Sequence, residues 1–210
     1  MLAAIRAEPT APAPMVTAQR IVAVGVESGR PGCAACHMQD GAGQPQVGIP
    51  RLAGLTSSYI RNQLDYFAAG QRYSAAMTPY ARQLGPAQRE AVAGYFASLP
   101  IPLKPEPQNP PEALLARGRA LFLDGDFRTG VLPCAECHGP TGLGVGDFSP
   151  RLAGQSAAYV GKELWGWHAG NLRDPKGAFM QVEAGHLSSS DIDAVADFVT
   201  SLGETVSKAP

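Results

Sequence analysis

Apolar positions recur at the three-to-four-residue period of a helix in six stretches of this chain, and no stretch alternates convincingly as a half-buried strand does. Val16, Ile21, Val22 and Val24 mark a first helix over 16–26, ahead of Gly25. Ile60, Leu64 and Phe67 share one face of a second, which starts at Thr56 or Ser57 and stops at Gly70. Val92, Phe96 and Leu99 form the stripe of a third, opened by Gly85-Pro86 with proline in the favoured first turn. A second set follows. EALLARGRALFLDG over 112–125 begins behind Pro110 and Pro111. Val160, Leu164 and Trp167 line up from Ser156 to a stop at Gly170, and Ile192, Val195, Val199 and Leu202 follow Ser188. Asp191, three residues after Ser188, completes a capping-box pattern with Asp in place of Glu or Gln. Between the second and third helix of each set lies a loop carrying one methionine. The expected class is all-α.

The two sets are copies of one unit. CAACH at 33–37 returns as CAECH at 134–138, and PRLAG at 50–54 returns as PRLAG at 150–154. SSYIRNQL at 57–64 matches AAYVGKEL at 157–164, and AVAGYFASL at 91–99 matches AVADFVTSL at 194–202. Order is kept over a period near 100 residues, which marks a duplicated domain and not a solenoid of short repeats. The expected organisation is a tail at 1–15, one domain at 16–100, a linker at 101–111, a second domain at 112–204 and a tail at 205–210, each domain mainly three helices. Six prolines over 100–111 make the connection extended and semi-rigid. MLAAIRAEPTAPAPM is too short and proline-rich for a signal-peptide core. It reads as a remnant, either of a removed leader or anchor or of expression.

Composition narrows the function. The 210 residues are 45% hydrophobic and 17% charged, with a net charge of −1. No basic block points to nucleic acid, and no apolar run approaches the roughly 20 residues of a membrane span. Gly 24 and Pro 19 imply many loops, while aromatics make up only 7%. Core volume must come from elsewhere, and a large apolar cofactor would supply it.

All four cysteines sit in the two CxxCH motifs. A four-thiolate zinc site would bring its two pairs within about 15–20 residues of each other and gives no role to the histidines. A redox dithiol needs a βαβ context. Attachment of c-type haem uses every residue: two thioethers from Cys33 and Cys36, or from Cys134 and Cys137, with His37 or His138 next in line as the proximal iron ligand. For the sixth position, Met77 and Met180 hold matching places, each seven residues before the leucine that leads into the last helix. Met38 adjoins His37 and cannot reach the opposite face. His168 and His186 match Ala68 and Gln83, so the repeat gives neither a partner. A His/Met pair leaves no open position, which suits electron exchange and not substrate binding. Gly41 and Gly43 read as the turn that brings backbone close to the haem edge.

CxxCH, PRLAG and a methionine ahead of a C-terminal helix resemble class I cytochrome c domains. Two in tandem resemble the di-haem cytochrome c4 family, over about 16–204. The resemblance implies two covalently bound haem c groups. It implies that the carbonyls of Pro50 and Pro150 accept the ring N–H of the proximal histidines; a plain turn proline is the alternative. It makes Arg51 and Arg151 propionate partners, with exposed arginine as the alternative, and puts Trp167 at a haem pocket. The longer second methionine loop, NLRDPKGAF, implies unequal potentials. By resemblance the chain is an electron carrier between a quinol-oxidising complex or dehydrogenase and a terminal oxidase, in the bacterial periplasm or at the outer face of a membrane. The alternative is a di-haem subunit held tightly to a dehydrogenase, as in flavocytochromes. An enzyme in its own right would need an open or unusual sixth ligand.

Overall fold

A computed structural model describes residues 14–26, 29–101, 109–147, 149–171 and 175–206. Most of the expected tails and of the proline-rich linker lie outside the described residues. The first half carries α1 (Pro14–Val24), α2 (Ala34–His37), α3 (Ser57–Ala69), α4 (Met77–Gln83) and α5 (Pro86–Ala97). The second carries α6 (Glu112–Leu123), α7 (Ala135–His138), α8 (Ala157–His168), α9 (Ala178–Gly185) and α10 (Ser189–Val206). Among the described residues there is no strand, only three isolated antiparallel bridges. The protein is all-α.

The halves share one plan. The first and last helices of each half cross, α1 on α5 and α6 on α10, and α3 and α8 pack against α5 and α10. The second crossing is tight: a Cβ on Gly118 would lie 2.0 Å from the Ala194 carbonyl oxygen, so only glycine fits there. The stripes read from the sequence face these crossings. Ile60, Leu64, Phe67, Val92 and Phe96 form one buried cluster, and Val160, Leu164, Ile192, Val195 and Val199 the other. Val24 departs from its stripe and is exposed. It ends α1 two residues beyond buried Val22, about 200° round the helix.

Caps explain the starts. The Thr56 and Ser156 hydroxyls accept the Tyr59 and Tyr159 amides at 3.2 Å. Ser188 Oγ accepts the Asp191 amide at 3.2 Å, while Asp191 Oδ2 accepts from Ser188 N at 3.3 Å and from its Oγ at 2.7 Å.

One expectation changes. The methionine-bearing segments are not simple loops but the short helices α4 and α9. Ser74 starts α4: its Oγ accepts the Met77 amide at 3.1 Å, and its carbonyl accepts the Thr78 amide at 2.9 Å. Seven or eight residues are too few for a periodic apolar pattern to declare itself.

Candidate functional site

The two CxxCH segments fold as single helical turns, α2 and α7, each ending on its histidine. Beyond the turn the chain doubles back. The Leu52 and Ala53 amides donate to Gly41 O, and the Leu152 and Ala153 amides to Gly142 O, at 2.8–3.2 Å. Gly43 closes this loop at φ 74°, where a Cβ would meet Ile49 O at 2.4 Å. The backbone it approaches, that of Ile49 and Pro50, belongs to its own loop.

The closure carries Pro50 onto His37. His37 Nδ1 lies 3.0 Å from Pro50 O, and His138 Nδ1 lies 3.0 Å from Pro150 O. A carbonyl only accepts, so each Nδ1 is protonated and each Nε2 keeps its lone pair. Both rings are buried, and burial lowers their pKa despite the opposing carbonyl. Neutral imidazole with one nitrogen anchored is a metal-ligand configuration.

Both histidines line a single cavity of about 1080 Å³ that runs through both halves. Its wall also includes Met77, Met180, Cys33, Cys36, Cys134 and Cys137. It exceeds the roughly 300–1,000 Å³ of ordinary ligand pockets. Reactive dithiols have lowered thiol pKa values, whereas burial raises Cys33 and pushes Cys134 up to about 11.

Met38 stands outside the cavity wall, at φ 62° and ψ 159°. It is the one non-glycine residue at positive φ among the described residues, and its counterpart Gly139 has φ 77° and ψ 153°. That region is nearly glycine-only and costs about 1–3 kcal/mol. Glycine adds about 0.4–1 kcal/mol of unfolded-state entropy. Met38→Gly should therefore raise stability by about 1 kcal/mol in denaturant unfolding of the holoprotein; a decrease would contradict the strain.

The two arginines part company. Arg151 lines the cavity. Arg51 lies buried in the seam between the halves, its Nη2 donating to Ala153 O at 2.7 Å. Burial, helped by the nearby Arg151 charge, lowers its pKa to about 10. Its Nε, like Trp167 Nε1, is buried with no acceptor among the described residues. Trp167 lines the cavity as its counterpart Phe67 does.

Sequence reasoning missed a polar cluster in the same seam. Arg72 of the first half donates to Glu163 Oε2 at 2.7 Å and to Tyr159 OH at 3.2 Å in the second, and also to Gln63. Its guanidinium carbon stands 4.7 Å from the Phe67 ring centroid. Arg72, Gln63 and Glu163 are all buried. The one available signal was the comparison of the two copies, which sets Gln63 against Glu163.

The family model for Cytochrome c matches residues 29–100 and again 115–203. The chain belongs to the cytochrome c family. Among its relatives, a thiosulfate dehydrogenase electron acceptor of Thiomonas intermedia is 42% identical over 80% of this chain and 76% of its own length. The structure of reduced recombinant cytochrome c4 from Pseudomonas stutzeri superposes with a TM-score of 0.74 at 32% identity, covering 89% of this chain and 97% of that one. A thiosulfate dehydrogenase (TsdBA) from Marichromatium purpuratum gives a TM-score of 0.79 at 34% identity, over 89% of this chain. The chain spans only 40% of that protein.

The chain is thus a di-haem, cytochrome c4-like electron-transfer protein with two covalently bound haem c groups. The site fits them. The cavity has the size, each histidine offers a neutral nitrogen, and the buried N–H of Trp167 awaits an acceptor such as a carboxylate.

Proposed function

We propose that Cys33 and Cys36 anchor the first haem and Cys134 and Cys137 the second, with His37 and Met77 as axial ligands of one iron and His138 and Met180 of the other. The observation that carries this is the twin arrangement: in each half a buried histidine, tied through Nδ1 to a proline carbonyl, faces a cavity also walled by one methionine. The bound iron supplies a one-electron couple, which methionine ligation places higher than a second histidine would. The residues do the rest. Pro50 and Pro150 set the imidazole orientation, and Arg151 and Trp167 offer donors to the haem carboxylates. Phe127 and Phe179, both exposed, stand at the mouth of the second site and suit brief docking of a redox partner.

On this reading the chain takes single electrons from a quinol-oxidising complex or dehydrogenase and passes them to a terminal oxidase or another acceptor, in the periplasm or at the outer face of a membrane. Among the described residues no helix is long and apolar enough to cross a membrane. A second reading is favoured by the thiosulfate dehydrogenase relatives: a thiosulfate-oxidising dehydrogenase is the donor, and the chain works as its bound acceptor. Two one-electron sites suit a donor that releases electrons in pairs.

An optical redox titration tests the ligands. Methionine-ligated ferric haem gives a weak far-red charge-transfer band. Met77→Ala and Met180→Ala should each remove about half of it, and the double variant all of it. A spectrum unchanged by either substitution overturns the assignment. Pull-down from native membranes then separates the bound acceptor, which co-purifies with its dehydrogenase, from the free carrier.

A further inference from the structure

The Pro50–Arg51 peptide is held from both sides. Its carbonyl accepts from His37 Nδ1 at 3.0 Å. Its N–H belongs to Arg51 and donates to Gln155 Oε1, in the other half of the molecule, at 2.9 Å. Gln155 Nε2 donates back to the Arg51 carbonyl at 3.0 Å, so one side-chain amide imitates a strand pairing on the Arg51 backbone. Gln155 is buried and well anchored. Its Oε1 also accepts the Ser156 amide at 3.2 Å, and its carbonyl accepts Thr200 Oγ1 at 2.9 Å.

Among the described residues the second half has no such arrangement. The Pro150–Arg151 peptide serves His138 in the same way, but Leu55 stands where Gln155 would have its counterpart. Among the described residues the Arg151 amide has no acceptor. The duplicated chain therefore departs from its own symmetry at a residue touching the peptide that orients one histidine.

Hydrogen bonds in a chain polarise one another, by about 10–30% per bond. An acceptor on the Arg51 N–H draws electron density toward Pro50 O, which then binds the His37 N–H more strongly and makes the imidazole a more basic ligand. A more basic ligand favours the ferric state. We propose that Gln155 is a positioning residue for electron transfer, which lowers the potential of the first iron through the Pro50–Arg51 peptide and ties that potential to the seating of the second half. The proposal rests on His37 as the axial ligand of that iron.

The test uses the holoprotein with Gln155→Leu, the residue of the other copy, and with Gln155→Glu, which strengthens the acceptor on the Arg51 N–H while giving up the donation to the Arg51 carbonyl. The His37 ring N–H is followed by NMR in the ferrous state with labelled histidine, and each potential is assigned by following each histidine through a titration. In Gln155→Leu the His37 N–H should move upfield and the first potential should rise, by up to about tenfold in the reduction equilibrium, or ~59 mV for one electron. In Gln155→Glu both should move the opposite way. The His138 N–H should hold still in both. General loosening of the seam would shift both variants in one direction and both histidines together, and that result overturns the proposal, as does an unmoved His37 resonance. Failure of the ligand reading looks different: wild-type His37 would lack the large ring-current shifts of an iron-bound imidazole.

Discussion

Stripped of both haem groups, the chain should lose its tertiary structure. The cavity of about 1080 Å³ is walled by the same apolar residues that make up the two cores, including Leu64, Phe67, Val92 and Phe96 in the first half and Leu164, Val195 and Val199 in the second. Unfilled apolar core volume destabilises a fold in proportion to its size, and this cavity is large against the roughly 5–15 kcal/mol by which a folded domain is stable. With aromatics at only 7% of the sequence, nothing in the chain can refill the space. The check is a chain with Cys33, Cys36, Cys134 and Cys137 all replaced by alanine and purified without haem. Helical far-ultraviolet dichroism should persist in part while the near-ultraviolet signal and the cooperative denaturant transition disappear. A sharp transition with native near-ultraviolet dichroism would show that the protein side chains alone define this fold.

Arg72→Leu should cost about 3–5 kcal/mol, the range for removing one partner of a buried ion pair. Arg72 holds the Glu163 carboxylate, the Gln63 amide and the Tyr159 hydroxyl together. Its loss takes the guanidinium at 2.7 Å away from the buried Glu163 carboxylate. Adding Glu163→Gln to the same chain should recover most of the deficit, because a neutral amide is far cheaper to bury than a carboxylate. Arg72→Lys should recover little, since an ammonium cannot reach three acceptors in a plane. Denaturant unfolding of the four holoproteins measures this. If Arg72→Leu lies within 1 kcal/mol of the parent, the pair is solvated and the seam is held otherwise.

These two expectations differ in how far the sequence announced them. The need for a cofactor was legible: scarce aromatics, two CxxCH motifs in register, and paired methionines. So were the main helices, because stripes such as Ile60, Leu64 and Phe67 repeat over three turns and their caps are local. The seam was not legible. Arg72 and Glu163 are 91 residues apart, and Arg51 meets Gln155 across 104. Each looks locally like an ordinary solvated polar residue. Only comparison of the two copies carries a trace, in Gln63 against Glu163 and Leu55 against Gln155. The α4 and α9 helices were missed for a different reason. They are short, Pro79 sits within α4, and their helicity comes from packing more than from pattern.

The seam charges also decide which half can recognise which. A first half set against a second copy of itself would offer Arg72 only Gln63 where Glu163 now stands, and Leu55 where Gln155 now clasps Arg51. Self-pairing would leave Arg72 facing no carboxylate, whereas in the unlike pair it meets Glu163 at 2.7 Å. The duplicated units are therefore no longer interchangeable: like hands in a handshake, left meets right, and two lefts do not close.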